Sequence, residues 1–175
     1  VFFKAVIAGI SSWEFWWGFV VSISILIGAV LSPIIGAKAD KSKKRKSKFI
    51  LFALIAIVGT ALLYFTGPGL LPLAVIIFII MNASFVIAQT LYDSFLINVS
   101  KEKTRGKISG FAWGLGYLGG IVALILLRPL YEGGFAGALE STYKLSFPLT
   151  ALFFLIFAVP SFLFIKEKNK PKVQT

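Results

Sequence analysis

Five apolar stretches leave this chain little choice of fold. They cover about 15–37, 49–66, 70–98, 108–127 and 147–165, and short charged clusters or turns separate them. At ~1.5 Å per residue, roughly 20 residues cross the ~30 Å hydrocarbon layer, and each stretch comes near or exceeds that length. A lone strand in lipid would leave its backbone polar groups unpaired, so each stretch is expected to be helical. The fold class expected is all-α and transmembrane. A hydrophobic fraction of 58% and a mean hydropathy of +0.90 are too high for a soluble core of 175 residues.

The formal net charge of +11 does not point to nucleic acid. Of the 18 basic residues, 15 fall in three clusters, Lys38 to Lys48, Lys101 to Lys107 and Lys166 to Lys172, each at the end of an apolar stretch. That distribution is a topology signal. The link around Gly67-Pro68-Gly69 is uncharged, and the link from Arg128 to Ser146 holds two basic residues and two acids, Glu132 and Glu140. Positive-inside then places residues 1–14 outside and the basic tail, 166–175, in the cytoplasm of a prokaryotic plasma membrane. Trp13, Trp16 and Trp17 suit an aromatic anchor at the outer interface. The sequence begins at Val1, and its one Met is Met81. With an outside start, it reads as a fragment that lacks at least one upstream helix.

The chain has no Cys and no His, so it carries no disulfide, thiolate chemistry, zinc site or imidazole acid–base pair. No cofactor is expected. One acid, Asp93, lies within a span, and an enzyme would need a nucleophile or metal cluster beside it.

Between the first two stretches, Gly36 at a helix end, Asp40 four residues on and the run Lys43-Lys44-Arg45-Lys46 describe a tight connection. Asp40 has two readings, a local cap or partner for the basic run and a member of a gate on that side. The lysines are positive-inside determinants that also meet anionic headgroups of the lipid bilayer. Pro33, after Ser32, is placed one turn from the helix end, where a kink is tolerated.

The third stretch is the most polar. Asn82, Gln89 and Asp93 are seven and four residues apart, within about 40° of one helix face, and Phe78 and Val86 complete the stripe. Polar groups facing lipid are costly, so this face is expected to meet protein or a water-filled cavity. For Asp93 the readings are an interfacial ion pair with Lys101, Lys103 or Arg105, or a part in substrate binding or proton coupling. In the fourth stretch, Gly110, Gly114 and Tyr117 share one stripe, while Gly116, Gly119 and Gly120 share the opposite side. Small residues four apart let helices approach closely. Static packing and a moving contact both fit.

With these residues assembled, the chain resembles a half-transporter of the major facilitator superfamily. Gly36, Asp40, Arg45 and Lys46 match its loop motif between the second and third helices, with Lys43 where a second Gly is usual. Within the superfamily it is similar to the vacuole-effluxer (autophagy-related) permeases. Leu31-Ser32-Pro33-Ile34-Ile35-Gly36-Ala37, Leu91-Tyr92-Asp93-Ser94-Phe95-Leu96 and Gly114-x-Gly116-Tyr117-Leu118-Gly119-Gly120 carry that likeness, with Asp93 where the family usually has Asn. The resemblance implies five helices of a six-helix half-bundle, the second to sixth of twelve. It also implies missing partners in the same chain, the first helix and the C-terminal half. The implied activity is alternating access by a secondary transporter of small-molecule substrates, with amino-acid efflux among the family's activities; protons as the coupling ion are a separate hypothesis that rests on Asp93. The helix holding Asn82, Gln89 and Asp93 would line the central cavity. The alternative is a non-transporting membrane scaffold or receptor, which has no need of that polar face.

Overall fold

The computed structural model describes residues 13–42, 44–67, 69–96, 100–131 and 143–165. The chain forms five long helices: α1 Trp13–Ser42, α2 Arg45–Leu62, α3 Leu71–Ser94, α4 Arg105–Tyr131 and α5 Ser146–Phe164. Short 3-10 turns at Leu63–Phe65, Glu102–Thr104 and Tyr143–Leu145 lead out of α2 and into α4 and α5. Among the described residues there is no strand. All five helices are long and apolar enough to cross a membrane. The described chain is an all-α, multi-pass membrane protein. The basic tail, the acids Glu132 and Glu140, Lys43 and nearly all of the outer segment 1–14 lie outside the described residues.

The first helix departs from expectation at its end. Gly36 does not stop α1, which continues to Ser42. Ala37, Lys38, Ala39 and Lys41 are strong helix formers, and the Ser42 hydroxyl donates back to the Lys38 carbonyl at 2.7 Å. The Lys44 N–H then donates to the Ala39 carbonyl at 3.2 Å as the chain turns into α2. Asp40 is therefore a helical residue. Pro33 sits well inside α1, and beside it the Ser32 hydroxyl donates to the Gly28 carbonyl at 2.7 Å.

The uncharged link between α2 and α3 is a tight turn. The Leu70 N–H donates to the Gly67 carbonyl at 3.0 Å, and Gly69 takes φ +88°, a conformation that disfavours any side chain. The α3 helix spans Leu71–Ser94, and the Phe95 N–H donates to the Tyr92 carbonyl at 2.9 Å; residues 97 and 98, where the expected stretch ends, lie outside the described residues.

Packing is concentrated in α1, α2, α3 and α5. At the end of the bundle that carries the basic clusters, Ala39, Phe49, Ala53, Ile87, Ala88, Leu91 and Phe95 form one buried cluster. The Phe162 ring of α5 meets Phe49 edge-on at 5.5 Å. A second cluster, Ile57 with Ala151 and Ala158, ties α2 to α5. The α4 helix touches mainly α5, and no residue of its apolar stretch is buried.

Candidate functional site

The polar stripe of α3 is laid against α1, and the two helices run parallel. Their contacts repeat at a constant offset of 58 residues: Ser24 with Asn82, and Ser32 with Thr90. Gly28 faces Val86 at the same offset, and Trp17 stacks obliquely on Phe78 at 4.8 Å. Both helices advance by four residues per step, so a ridge of one follows a ridge of the other. The constraint is in the sequence of α1, where Ser24, Gly28, Ser32 and Gly36 put a small residue at every fourth position. In lipid, where apolar burial between helices gains little, such close backbone approach and side-chain hydrogen bonds carry association.

The hydrogen bonds in this seam are locally complete. The fully buried Ser24 hydroxyl donates to the Val21 carbonyl at 2.7 Å and accepts the Asn82 amide at 2.6 Å. Thr90 Oγ1 lies 2.9 Å from its own helix's Val86 carbonyl and 3.3 Å from Ser32 Oγ. At Gly28 a methyl group would stand 2.7 Å from Val86 Cβ and 3.1 Å from the Ala83 carbonyl oxygen. The backbones touch there.

The three polar residues predicted to share a face thus separate by role. Asn82 is spent on the α1 contact. Gln89 is half-buried and Asp93 exposed, about two and three turns nearer the basic end. Neither side chain makes a hydrogen bond to another described residue, and Asp93 forms no ion pair with Lys101, Lys103 or Arg105. The Arg105 Nε is buried without a described partner.

At the basic end, the loop-motif residues form a contact set across several helices. The Arg45 Nε donates to Asp40 Oδ1 at 2.7 Å, and its Nη2 reaches the same oxygen. The guanidinium carbon also lies 6.0 Å from the centre of the Phe95 ring, within reach of a cation–π attraction. Lys46 reaches across to the Leu163 carbonyl in the last turn of α5, at 3.5 Å. Arg45 thereby links the end of α1 to the end of α3, and Lys46 links α2 to α5. Gly36 stands apart, with open space where a side chain would be.

The packing glycines are elsewhere than predicted. A methyl group added at Gly110, Gly114, Gly116, Gly119 or Gly120 would meet nothing within 4 Å, and Tyr117 is exposed. Neither stripe of α4 is gripped by a described helix. Among the described residues, Gly28 and Gly59 are the helix glycines pressed against neighbouring helices, Gly59 with Met81 Cβ 2.6 Å from its virtual Cβ. The fourfold spacing of small residues through Gly28 was a signal for the first. Gly59 has no such pattern around it. Among the described residues no three acidic groups converge as a metal site would require.

Comparison with known proteins adds what geometry lacks. No solved structure matches the chain. A Bacillus subtilis (strain 168) protein named as an uncharacterized MFS-type transporter, YxiO, is 29% identical over 147 residues, which is 82% of this chain and 34% of the relative. An Aquifex aeolicus (strain VF5) protein, named only as uncharacterized, is 33% identical over 148 residues, 83% of this chain and 35% of that relative. The chain thus spans about a third of the length of either relative. Residues 16–175 match the family described as vacuole effluxer Atg22 like, across all five helices, and the chain belongs to that family.

Proposed function

We propose that these five helices belong to the N-terminal half-bundle of a major-facilitator-type secondary transporter that moves small solutes by alternating access. The observation that carries this reading is a polar face on a membrane-spanning helix of an effluxer-family chain. Gln89 and Asp93 lie on that face of α3 with no side-chain hydrogen bond to another described residue. A carboxylate and an amide at membrane depth are costly unless water, substrate or a further helix meets them. Asn82, about two and three turns away, holds α3 against α1 and so fixes where that face points. The relative named as an MFS-type transporter supports the same reading.

In this proposal the rest of the transporter is supplied by chain beyond these helices, in keeping with the third of each relative that they match. The family description names an effluxer, and amino acids, exported across the membrane, are the substrate class we propose on the likeness to the vacuole-effluxer permeases. Asp93 is the group proposed to exchange protons with the coupling gradient. No enzymatic step is proposed for this bundle.

The test is solute export by the full-length protein in proteoliposomes under an imposed proton gradient. Asp93→Asn should lower gradient-driven export by tenfold or more while counterflow of labelled substrate at equal pH persists. Equal, undiminished export by the variant at matched reconstitution would remove Asp93 from the mechanism. Failure of both proteins to move any of the twenty amino acids would remove the substrate class.

A further inference from the structure

Between α2 and α3, on the side away from α1, runs a groove of ≈ 340 Å³ lined by aliphatic side chains and Gly59. Leu51, Ile55, Val58 and Leu62 of α2 form one wall, and Ile77 and Ile80 of α3 the other. We infer that this groove seats an acyl chain of an anionic phospholipid, whose headgroup is held by Lys44 and Lys48.

Register supplies the first argument. Lys44, Lys48, Leu51, Ile55, Val58 and Leu62 are separated by four, three, four, three and four residues, which keeps them on one helix stripe. Lys44 is the N-cap of α2, and its carbonyl accepts the Lys48 N–H at 3.0 Å, which puts it one turn below Lys48. Two cations therefore stand directly below the groove at the basic end of the bundle. Lys44 is exposed and Lys48 half-buried. Arg45 and Lys46 are committed elsewhere, to Asp40 and to Leu163. Neither lysine beneath the groove has an acidic partner among the described residues.

Depth supplies the second. From Leu51 to Leu62 the wall rises eleven residues, about 16 Å at ~1.5 Å per residue. That is roughly half of the ~30 Å hydrocarbon layer, the depth of one leaflet. Lys48 lies one turn below it, at the level of phosphate. The groove is too narrow to enclose a helix about 10 Å across, which over the same rise occupies on the order of 1,000 Å³, and the two cations at its foot favour an anionic amphiphile. An acyl chain is thin and brings no polar group to desolvate.

The site is separate from the α3 polar face, so it stands or falls apart from the transport reading. The test is native mass spectrometry of the full-length protein, titrated in detergent with dioleoyl phosphatidylglycerol or dioleoyl phosphatidylcholine. One phosphatidylglycerol should be retained in preference to phosphatidylcholine. Each of Lys44→Gln and Lys48→Gln should weaken that retention about fivefold, while Lys103→Gln, in a different basic cluster, leaves it unchanged. Val58→Trp fills the groove from a position that is 54% exposed, and should displace the lipid; Ile80→Trp serves if the first variant does not elute as folded protein. Equal retention of both lipids would mean an unspecific lipid belt and overturn the proposal. Loss of preference with the lysine variants but not with either tryptophan would overturn the acyl seat, and the reverse pattern would overturn the anionic headgroup.

Discussion

At Gly28 a single added methyl group would stand 2.7 Å from Val86 Cβ and 2.9 Å from its Cγ1, so the substitution cannot be absorbed by a rotamer change. Val86 is β-branched and stiff, and the Ala83 carbonyl behind it is backbone. Gly28→Ala must therefore push α1 and α3 apart, opening the two hydrogen-bonded steps on either side of it. Overpacking of this kind typically costs about 1–3 kcal/mol. Gly36→Ala is the matched control, since it lies in the same helix with nothing within 4 Å. There the exchange removes a poor helix former and should be neutral or stabilising by up to ~1 kcal/mol. Thermal melts of the two variants in detergent should separate in opposite directions from the parent. Equal melts would mean that the seam yields without cost. The asymmetry was half legible in the sequence. Small residues at every fourth position show that helices can meet, but not which neighbour arrives: the sparser pattern of α1 meets α3, while the richer glycine stripes of α4 have no described neighbour within 4 Å.

The α1–α3 pair also shows what an element's polar residues do that their spacing alone does not settle. Asn82, Gln89 and Asp93 lie on one face in sequence and in the helix, as the sevenfold and fourfold intervals require. The face is divided because ridge packing follows steps of four: Phe78, Asn82, Val86 and Thr90 follow the seam, while Gln89 and Asp93 fall off it. Spans and periodicity are properties of one segment and were legible; the division depends on the partner helix and was not. The end of α1 misled for a related reason. Gly36 looked like a stop, yet helix formers on either side and the back-bonded Ser42 carry the helix six residues further. If Asn82 serves the seam, Asn82→Leu should destabilise the pair by about 0.6–1.7 kcal/mol, the range for hydrogen bonds between membrane helices. Ser24→Ala should cost a similar amount, and the double variant little more than either alone, because both remove the same 2.6 Å bond. A double-mutant cycle on chemical unfolding in detergent measures this coupling; additive losses would show that the bond carries no association energy.

Across the whole molecule, charge is segregated by end. Asp40, Arg45, Lys46 and the Lys101-to-Lys107 cluster sit where α1 ends, α2 begins, α3 ends and α4 begins, and Lys46 reaches the last turn of α5 there. The opposite end holds the tight Gly67–Leu70 turn, with Lys144 Nζ close to Gly67. Translocating several clustered cations across a bilayer is costly, so the end that carries them stays on the side of synthesis. Local interactions in the basic cluster do not change that balance, since Asp40 pairs with one cation, Arg45, and the basic residues there outnumber the acids. The positive-inside rule predicts that the α3–α4 link faces the cytoplasm and that the α2–α3 turn faces out. These 175 residues contain no cysteine, so single replacements here report sidedness once any cysteine elsewhere in the full-length protein is changed to serine. Lys103→Cys and Leu70→Cys are both at exposed positions. In intact cells a membrane-impermeant maleimide should label Leu70→Cys and spare Lys103→Cys until the membrane is opened. Labelling in the reverse order would show that chain outside these five helices, rather than their own basic clusters, sets the topology. Labelling of both in sealed cells would mean two orientations coexist, and the charge difference between the two ends would then be too small to decide between them.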